Sequence, residues 1–272
     1  TPYPASYIPT VVYLTARAID SSTRTASSPT ATVTLTPTFL PPTSAPTLSP
    51  TPGPRVPYSA IQVTSPGAMS RIVSPLRVQA LAISADSRRI EIGLFGEDGR
   101  LLGRSLVAVP GSELGDAISV KIPFEIRAAG ETGFVQVSTR DLHGRIQSLI
   151  TVPLLLLSSG ESQVNPAGNM VYERVALSDL PPKSDISGGV MRVSGAILPY
   201  NRSPVIMELV SNGGISLSLR LLNVAGADWQ SVETTLPYAV ENATPARLYI
   251  HQADELLGGE GYVFSLPLNL LP

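Results

Sequence analysis

Few side chains of this sequence could carry out chemistry. The chain has no Cys and only two His in 272 residues. His143 lies in a run that is typical of a hairpin turn, and His251 lies in a predicted strand. Neither His has a second ligand at the spacing of a metal site, and the absence of Cys excludes thiolate sites and disulfides. We therefore expect both histidines to be exposed or structural, and we expect no metal or cofactor.

Acidic residues that are adjacent in the sequence fall in predicted turns. Glu97 and Asp98 follow one strand-like run, and Asp254 and Glu255 follow another. Acidic side chains at such positions favour turn geometry and solubility. A calcium site in the loops that uses Glu97, Asp98 or Asp141 is an alternative interpretation. The glycine-rich run 258–261 predicts a loop, because no strand-to-helix transition surrounds it.

We do not expect catalysis from these residues. The sequence has no Gly-x-Ser-x-Gly nucleophile elbow and no His-Glu-x-x-His helix. Its net charge of −2 at pH 7 argues against nucleic acid as a partner, because binding to phosphates requires a concentrated basic surface. We therefore predict a protein that is not an enzyme and that has no nucleic-acid partner.

The chain has one tryptophan, Trp229, at the beginning of a predicted strand. An indole at the surface could stack on a sugar or anchor a protein partner. The same side chain could instead fill the edge of a hydrophobic core. The sequence leaves both interpretations of Trp229 open.

The first 57 residues differ in composition from the rest of the chain. They contain 12 of the 26 Pro together with 13 Thr and 7 Ser, but only four charged residues. Such a segment has too little apolar surface to offset the entropy of ordering it. Residues 21–57 are typical of a semi-rigid spacer between an envelope anchor and a folded domain. We therefore predict an extended Thr/Pro-rich arm and stalk over residues 1–57.

Two segments of the arm are more apolar than the stalk around them. Residues 31–39 alternate Thr with apolar residues, as a half-buried edge strand would. Residues 7–20 are too apolar for a free linker, so we predict that they dock on a protein partner as a strand or a short helix. Disordered stalk is the alternative interpretation. The residues expected to contact the partner are Tyr7, Ile8, Val11, Val12, Tyr13 and Leu14.

The beginning of the chain bears on its expected location. The sequence starts at Thr1 and has no apolar run of about 18 residues, the length that spans a bilayer. A cleaved export signal that ends at a lipidated Cys just before Thr1 would account for both observations. We expect an extracytoplasmic protein at the cell surface or anchored in the envelope. Its partners would be proteins, and further copies of this chain are one candidate.

The rest of the chain repeats itself. Five short runs recur in almost the same register, which predicts a tandem duplication. The two units span residues 58–157 and 172–272, and residues 158–171 link them. The matched runs are 76–78 with 191–193 at an offset of 115, and 98–99 with 212–213, 122–124 with 236–238, 134–137 with 248–251 and 152–154 with 266–268 at an offset of 114.

Each unit has the pattern of an all-β domain. Runs with period-two alternation are separated by turn sequences such as Asp98-Gly99 and Asn212-Gly213. Seven short strands in about 100 residues are typical of an immunoglobulin-like β-sandwich. We therefore predict an all-β fold in which two tandem immunoglobulin-like β-sandwiches follow the arm.

The first unit resembles a known family of bacterial domains. The similar runs are residues 61–66, 74–78, 98–99, 122–124 and 152–154. In these runs the unit is similar to the bacterial spore-germination-type immunoglobulin-like domain, which occurs in exported proteins and lipoproteins and has no known catalytic residues. The second unit departs from the first of these motifs, so its membership follows from the internal repeat. The resemblance implies an immunoglobulin-like fold and an envelope location.

These patterns together predict a non-enzymatic exported protein with a structural or protein-interaction role. It would be an accessory subunit or a protomer of a cell-envelope or extracellular assembly, with the N-terminal arm docked on a partner. The alternative is a surface-tethered adhesin that binds carbohydrate through Trp229.

Overall fold

The computed structural model describes residues 56–84, 87–224 and 226–272. A 3₁₀ turn at Gly168–Val171 is the only helical element within these ranges. In the same ranges, no helix is long and apolar enough to cross a bilayer. The segment 31–39 and the predicted partner-contacting residues of the arm lie outside the described residues; the latter are Tyr7, Ile8, Val11, Val12, Tyr13 and Leu14.

The first repeat folds into a sandwich of two sheets. Its eight strands are β1 (Ile61–Ser65), β2 (Ser70–Val73), β3 (Leu76–Ala82), β4 (Arg89–Phe95), β5 (Leu101–Ala108), β6 (Asp116–Ile122), β7 (Gly130–Arg140) and β8 (Ile146–Leu157). One sheet has the order β1-β3-β6, and the other has the order β5-β4-β7-β8. β2 joins the second sheet through parallel pairing with β8.

The second repeat has the same topology. Its eight strands are β9 (Val175–Ser178), β10 (Ser184–Ile186), β11 (Val190–Ile197), β12 (Val205–Ser211), β13 (Ser216–Leu222), β14 (Gln230–Pro237), β15 (Thr244–Asp254) and β16 (Gly259–Leu270). β9, β11 and β14 form one sheet, and β13, β12, β15 and β16 form the other. β10 pairs in parallel with β16, as β2 does with β8.

This topology confirms the predicted fold of two tandem immunoglobulin-like sandwiches. Each sandwich has eight strands rather than the seven expected from the sequence. The extra strand arises because the first strand divides: β1 pairs with β3 in one sheet, and β2 pairs with β8 in the other. Pro66 and Gly67 lie at the division, where the chain crosses between the sheets and needs no ladder hydrogen bonds.

Alternating apolar side chains build a separate core in each sandwich. β4 buries Ile90, Ile92 and Leu94, and the residues 115 positions later in β12 are buried as well. The side chains between them point to the outer face of the sheet, because successive residues of a strand face opposite sides. The two cores share no residue.

The sequence match between β7 and β15 is wrong by one residue. The sequence similarity aligns Phe134 with Leu248, but Val135 is the buried residue that corresponds to Leu248. The pairing agrees, because Val137 lies opposite Ile92 and Ile250 lies opposite Met207, which gives an offset of 113 in this strand. Similarity of residue type misled the alignment, since a shift of one residue moves every side chain to the other face.

A proline occupies the same place in the last strand of each sandwich. The carbonyl oxygen of Pro153 accepts a hydrogen bond from the Met69 amide, and that of Pro267 accepts one from the Lys183 amide. The nitrogen and oxygen of an extended residue point to the same side. Each proline nitrogen therefore lies at the edge where β2 or β10 begins to pair, and no ladder bond is lost there.

The predicted loop at residues 258–261 is a strand from Gly259 onward, because β16 begins there. Gly261 lies directly under the ring of Tyr200, and a Cβ at this position would overlap that ring. Glycine at position 261 is therefore required by close packing rather than by a flexible loop.

Candidate functional site

The two sandwiches meet edge to edge through β8 and β16. Leu149 pairs with Val263 in antiparallel orientation, and this bridge joins both large sheets into one ten-stranded sheet. The two residues are 114 positions apart, so they occupy equivalent places in the two repeats. An antiparallel contact between equivalent residues has the geometry of a two-fold symmetric interface.

A second bridge has the same property. Tyr58 pairs with Tyr172, also 114 positions later, and their rings stack with centroids 5.0 Å apart. The Ser59 amide donates to the Val171 carbonyl oxygen, and the Glu173 amide donates to the Pro57 carbonyl oxygen, both at 3.0 Å. If each residue is replaced by the residue at the equivalent position of the other repeat, each of these hydrogen bonds becomes the other. The repeats are therefore related by a pseudo-two-fold axis through both bridges.

The interface along β8 and β16, which we call the seam, has an apolar centre. Leu149 and Val263 are each 4% exposed. They pack with Val210 and Tyr249 in a cluster of their own, against which Ile146 lies. The cluster belongs to neither sandwich core, so its burial depends on the contact between the sandwiches.

Polar side chains of the first sandwich bind backbone atoms of the second across the seam. The Thr151 hydroxyl donates to the Gly261 carbonyl oxygen at 2.6 Å, and Gln136 Nε2 donates to the Glu260 carbonyl oxygen at 2.9 Å. Thr151 is buried, and its hydroxyl also accepts a hydrogen bond from Gln136 Nε2. These bonds fix the register of the two edges.

Arg145 bonds to both sandwiches at one end of the seam. Its Nε donates to Asp141 Oδ2 at 2.7 Å, and its terminal nitrogens donate to the carbonyl oxygens of Ser211 and Asn212. Burial raises the pKa of Asp141, but hydrogen bonds from the Arg145 amide and side chain outweigh that effect and lower the pKa overall. Asp141 is therefore ionised and holds the guanidinium in place.

The connection between the sandwiches is bound to the first of them. Arg71 and Gln163 exchange two backbone hydrogen bonds of 2.9 and 2.8 Å, and the Asn165 amide donates to the Ser70 hydroxyl. The Gly67 amide donates to the Asn165 carbonyl oxygen. Residues 163–165 thus lie beside β2, which holds the connection against the first sandwich.

A buried carboxyl group lies where the connection enters the second sandwich. Glu173 Oε1 accepts the Ala60 amide at 3.0 Å, and Tyr262 donates its hydroxyl to Glu173 Oε2. The Tyr262 oxygen accepts the Arg174 amide at 3.1 Å. Burial raises the pKa of Glu173 despite these hydrogen bonds, and it raises the pKa of Tyr262 further above its ordinary range.

The predicted Asp98-Gly99 turn contacts the second sandwich directly. Gly99 has a φ of 75°, and a Cβ at this position would overlap the carbonyl oxygen of Leu256. Arg100 binds Asp98 and the buried Glu131. Hydrogen bonds from the backbone and side chain of Arg100 lower the pKa of Asp98.

The structure places the predicted chemical residues in separate positions. His143 is exposed in the turn between β7 and β8, where its amide donates to Asp141 Oδ1. His251 lies in β15 with Nδ1 at 2.9 Å from Glu260 Oε1. Across the described ranges, no three His, Cys, Asp or Glu side chains are grouped to hold a metal ion. The oxygens of Asp98 and Asp141 are occupied by arginine and backbone donors.

Trp229 lies at the junction and outside the core cluster of the second sandwich. It is 39% exposed and lines a cavity of about 480 Å³ together with Tyr172, Arg174 and Val56. Arg174 is held by the Pro199 carbonyl oxygen at 3.0 Å. The cavity therefore combines an indole, a phenol and a fixed cation.

Sequence reasoning missed the residues that join the sandwiches. Glu173 and Tyr262 are 89 positions apart, and no local pattern marks either as buried. Tyr58 and Tyr172 could have been found, because the same residue type recurs at the repeat offset of 114. Their pairing with each other requires the symmetry of the interface, which the offset alone does not contain.

No protein-family model matches the chain, and no curated protein matches it. Several solved structures are similar in fold at low TM-scores. A biofilm-associated protein, described by its BSP domain, is 12% identical over 77% of this chain and 30% of that chain, with a TM-score of 0.24. Titin domains Z1Z2 in complex with telethonin are 15% identical over 79% of this chain and 96% of that chain, with a TM-score of 0.21.

A mutant of Salmonella alpha-2-macroglobulin is 15% identical over 83% of this chain and 16% of that chain, with a TM-score of 0.27. This chain thus spans less than a third of the biofilm-associated protein and less than a fifth of the macroglobulin. Such scores carry no argument about function. The immunoglobulin-like fold of this chain follows from its own strand order and pairing.

Proposed function

We propose that this protein is a non-enzymatic, exported structural or protein-interaction protein. It serves as an accessory subunit or a protomer of a cell-envelope or extracellular assembly, and the apolar segment 7–20 of its arm docks on a partner. The observation that carries this proposal is the fixed junction between the sandwiches. A ten-stranded sheet, a bound connection and a buried Glu173 make the two domains one rigid body.

A rigid two-domain body suits a protein that holds its partners at a set distance and orientation. Domains in one chain move relative to each other by default unless their interface is large and apolar. Here the seam has its own apolar cluster, one buried hydrogen bond and a second that is partly buried. The titratable groups that the junction buries, Glu173 and Tyr262, are hydrogen-bonded to each other and to backbone amides. They act as structural groups and leave recognition to the surface and the arm.

The composition of the arm supports an extracytoplasmic position. A Thr/Pro-rich spacer next to a folded domain is typical of proteins that extend away from an envelope. The segment 7–20 adds a run rich in apolar residues at the far end of this spacer in the sequence. An extended peptide of this kind binds by adding a strand to a sheet edge or by lying in a groove.

Deletion of residues 1–20 tests the proposal. We expect the truncated protein to keep its thermal unfolding transition and to lose assembly or surface retention. Deletion of residues 41–50 is the matched control, because it shortens the stalk without removing the apolar segment. Assembly and retention would be measured by cell fractionation and by size-exclusion chromatography with light scattering. Unchanged assembly after deletion of 1–20 would contradict the proposal.

The second candidate function is carbohydrate binding by a surface-tethered adhesin. The specific observation in its favour is the position of Trp229, which lines a 480 Å³ cavity beside Tyr172 and Arg174. Aromatic rings supply flat apolar surfaces for sugar rings, and a fixed cation can bind a hydroxyl or a carboxylate.

A glycan array separates this candidate from the first. If it is correct, the intact protein binds a defined set of glycans, and Trp229→Ala reduces binding roughly two- to tenfold, since a stacked aromatic ring is worth about 0.5–1.5 kcal/mol. Leu106→Ala, at an exposed apolar position of the first sandwich, should bind as the unaltered protein does. If Trp229→Ala and Leu106→Ala bind glycans equally, or if the intact protein binds none, the adhesin function is excluded.

A further inference from the structure

A cavity of 320 Å³ lies beside the seam on the outer face of the ten-stranded sheet. Ile146, Val210 and Val263 form its apolar wall, and all three belong to the seam cluster or pack against it. The volume is at the small end of the range for ligand sites and fits a group the size of one side chain. Both sandwiches contribute to the wall, so the cavity exists only because they are joined.

Two polar atoms of this cavity's lining have no hydrogen-bond partner. The described residues contain four buried side-chain oxygens without a partner, and two of them are the Tyr249 hydroxyl and Glu260 Oε2. Tyr249 is 7% exposed, and burial raises the pKa of its hydroxyl. A buried polar group without a partner costs about 1–3 kcal/mol, so two in one cavity call for a group that binds them.

The charges around the cavity favour a cation. Glu208 lies in the lining and forms no ion pair among the described residues. Glu260 bonds to His251 through Oε1 only, which leaves Oε2 as a free acceptor. Arg145 also lines the cavity, but Asp141 and two carbonyl oxygens occupy its guanidinium. Arg247 also acts on Tyr249, but it is not part of the lining and bonds to the Ser265 hydroxyl. Among the residues that line the cavity, the unpaired charge is therefore negative.

We propose that this cavity binds an alkyl cation, an ammonium or guanidinium group carried on an aliphatic stem. The head group donates hydrogen bonds to Glu260 Oε2 and to the Tyr249 oxygen, and the negative charge of Glu208 in the same lining attracts it. The stem lies against Ile146, Val210 and Val263. Charge-assisted hydrogen bonds supply the affinity, and the apolar wall selects a ligand with a methylene chain over a hydrated metal ion.

The test uses the full-length protein labelled with nitrogen-15. Pentylammonium is titrated while the amide resonances of Tyr249, Val263 and Gly214 are followed by NMR. We expect saturable shifts with a Kd on the order of 1 mM, since a single small ligand forms few contacts. The neutral isostere 1-pentanol should bind at least tenfold more weakly, because it has no charge for the carboxylates. Equal binding of both compounds, or no saturable shift, would overturn the proposal.

Two variants test the named atoms. Glu260→Gln keeps an acceptor for His251 and replaces the free acceptor with a donor, so we expect at least tenfold weaker binding of pentylammonium. Glu233→Gln, at an exposed position of β14, is the matched control and should bind normally. A Glu260→Gln protein that is folded by NMR and binds within twofold of the unaltered protein would refute the assignment.

Tyr249→Phe gives a readout that a purely structural role would not produce. Its hydroxyl has no partner in the protein, so its removal should leave the unfolding midpoint unchanged or raise it. Binding of pentylammonium should nevertheless weaken several-fold. A variant that loses stability and keeps its affinity would show that the hydroxyl serves the fold and not a ligand.

A parallel titration distinguishes two sources of the same chemistry. N-acetyl-lysine methylamide represents a basic side chain that a partner protein presents, and cadaverine represents a free polyamine. Tighter binding of the lysine derivative identifies a protein partner, and tighter binding of cadaverine identifies a small metabolite. Either result supports an alkyl-cation site, whereas failure of both compounds contradicts it. The outcome is independent of the arm deletion, because the cavity and the arm are different parts of the chain.

Discussion

Replacement of Glu173 by alanine is expected to lower the free energy of unfolding by about 2–5 kcal/mol, because it leaves buried donors without an acceptor. The Ala60 amide and the Tyr262 hydroxyl would both lose their partner in the interior of the junction. Urea denaturation of the intact chain, followed by far-UV circular dichroism, measures the change.

A glutamate in the connection provides the matched control. Glu161 is exposed, so Glu161→Ala should change the free energy of unfolding by no more than about 0.5 kcal/mol. If Glu173→Ala were as mild as this control, the buried cluster would not be holding the two sandwiches together.

The pH dependence of stability follows from the same carboxyl group. The pKa of Glu173 is raised by burial above its ordinary value of 4.5, so the folded state binds a proton more tightly than the unfolded state does. The contribution of Glu173 to the free energy of unfolding is therefore fully present below pH 4.5, and it is lost as the pH rises through the pKa of the folded state. The stability of the native protein relative to Glu173→Gln should fall over that window. The urea midpoints of both proteins against pH would show it, and a constant difference would contradict it.

Replacement of Leu149 by aspartate is expected to open the seam. The substitution puts an unpaired charge into a position that is 4% exposed. It should lower the free energy of unfolding by about 3–5 kcal/mol. The two cores share no residue, so each sandwich should keep its own fold. We expect the native protein to unfold in a single thermal transition and the Leu149→Asp variant to unfold in two, and NMR relaxation of the variant should show independent tumbling of the sandwiches.

The symmetry of the interface supplies a second variant for this prediction. Val263→Asp alters the equivalent residue of the other repeat and should have nearly the same effect. Leu101→Asp, at an exposed position of β5, is the control and should leave a single transition. The prediction would be contradicted if Leu149→Asp and Val263→Asp changed the thermal transition to very different extents, or if neither variant changed it. Either result would show that the bridge does not couple the sandwiches.

Much of the fold could be predicted because core positions leave a pattern in the sequence. Ile90, Ile92 and Leu94 alternate with outward residues, and this alternation both identifies a strand and fixes its buried face. The division of the first strand into β1 and β2 was missed, because four residues such as Ser70–Val73 are too few to establish a period. The match between β7 and β15 is off by one residue in the sequence, because Phe134 is large and apolar like a core residue and yet faces outward.

The junction could be predicted only in part. The repeat offset was visible in the sequence, but contact between equivalent residues is a property of the assembled domains. In the sequence, Glu173 resembles an ordinary surface charge, because charged residues are rarely buried and nothing nearby signals its partners. The cavity at Tyr249 and Glu260 combines residues of both repeats, so no local motif announces it. Trp229 was identified as a candidate from its residue type, and its place at the junction came from the structure.

The pseudo-two-fold axis has a consequence for how such a chain could arise and diverge. Two separate identical subunits joined in this way would place the same residue on both sides of the axis, so a glutamate at position 173 would face a second glutamate across it. Neighbouring carboxyl groups oppose each other's ionisation. In this chain the equivalent of Glu173 is Ser59, whose side chain can accompany a lone carboxyl group. Fusion of the two copies into one gene permits this broken symmetry, and it makes the pairing immune to dilution.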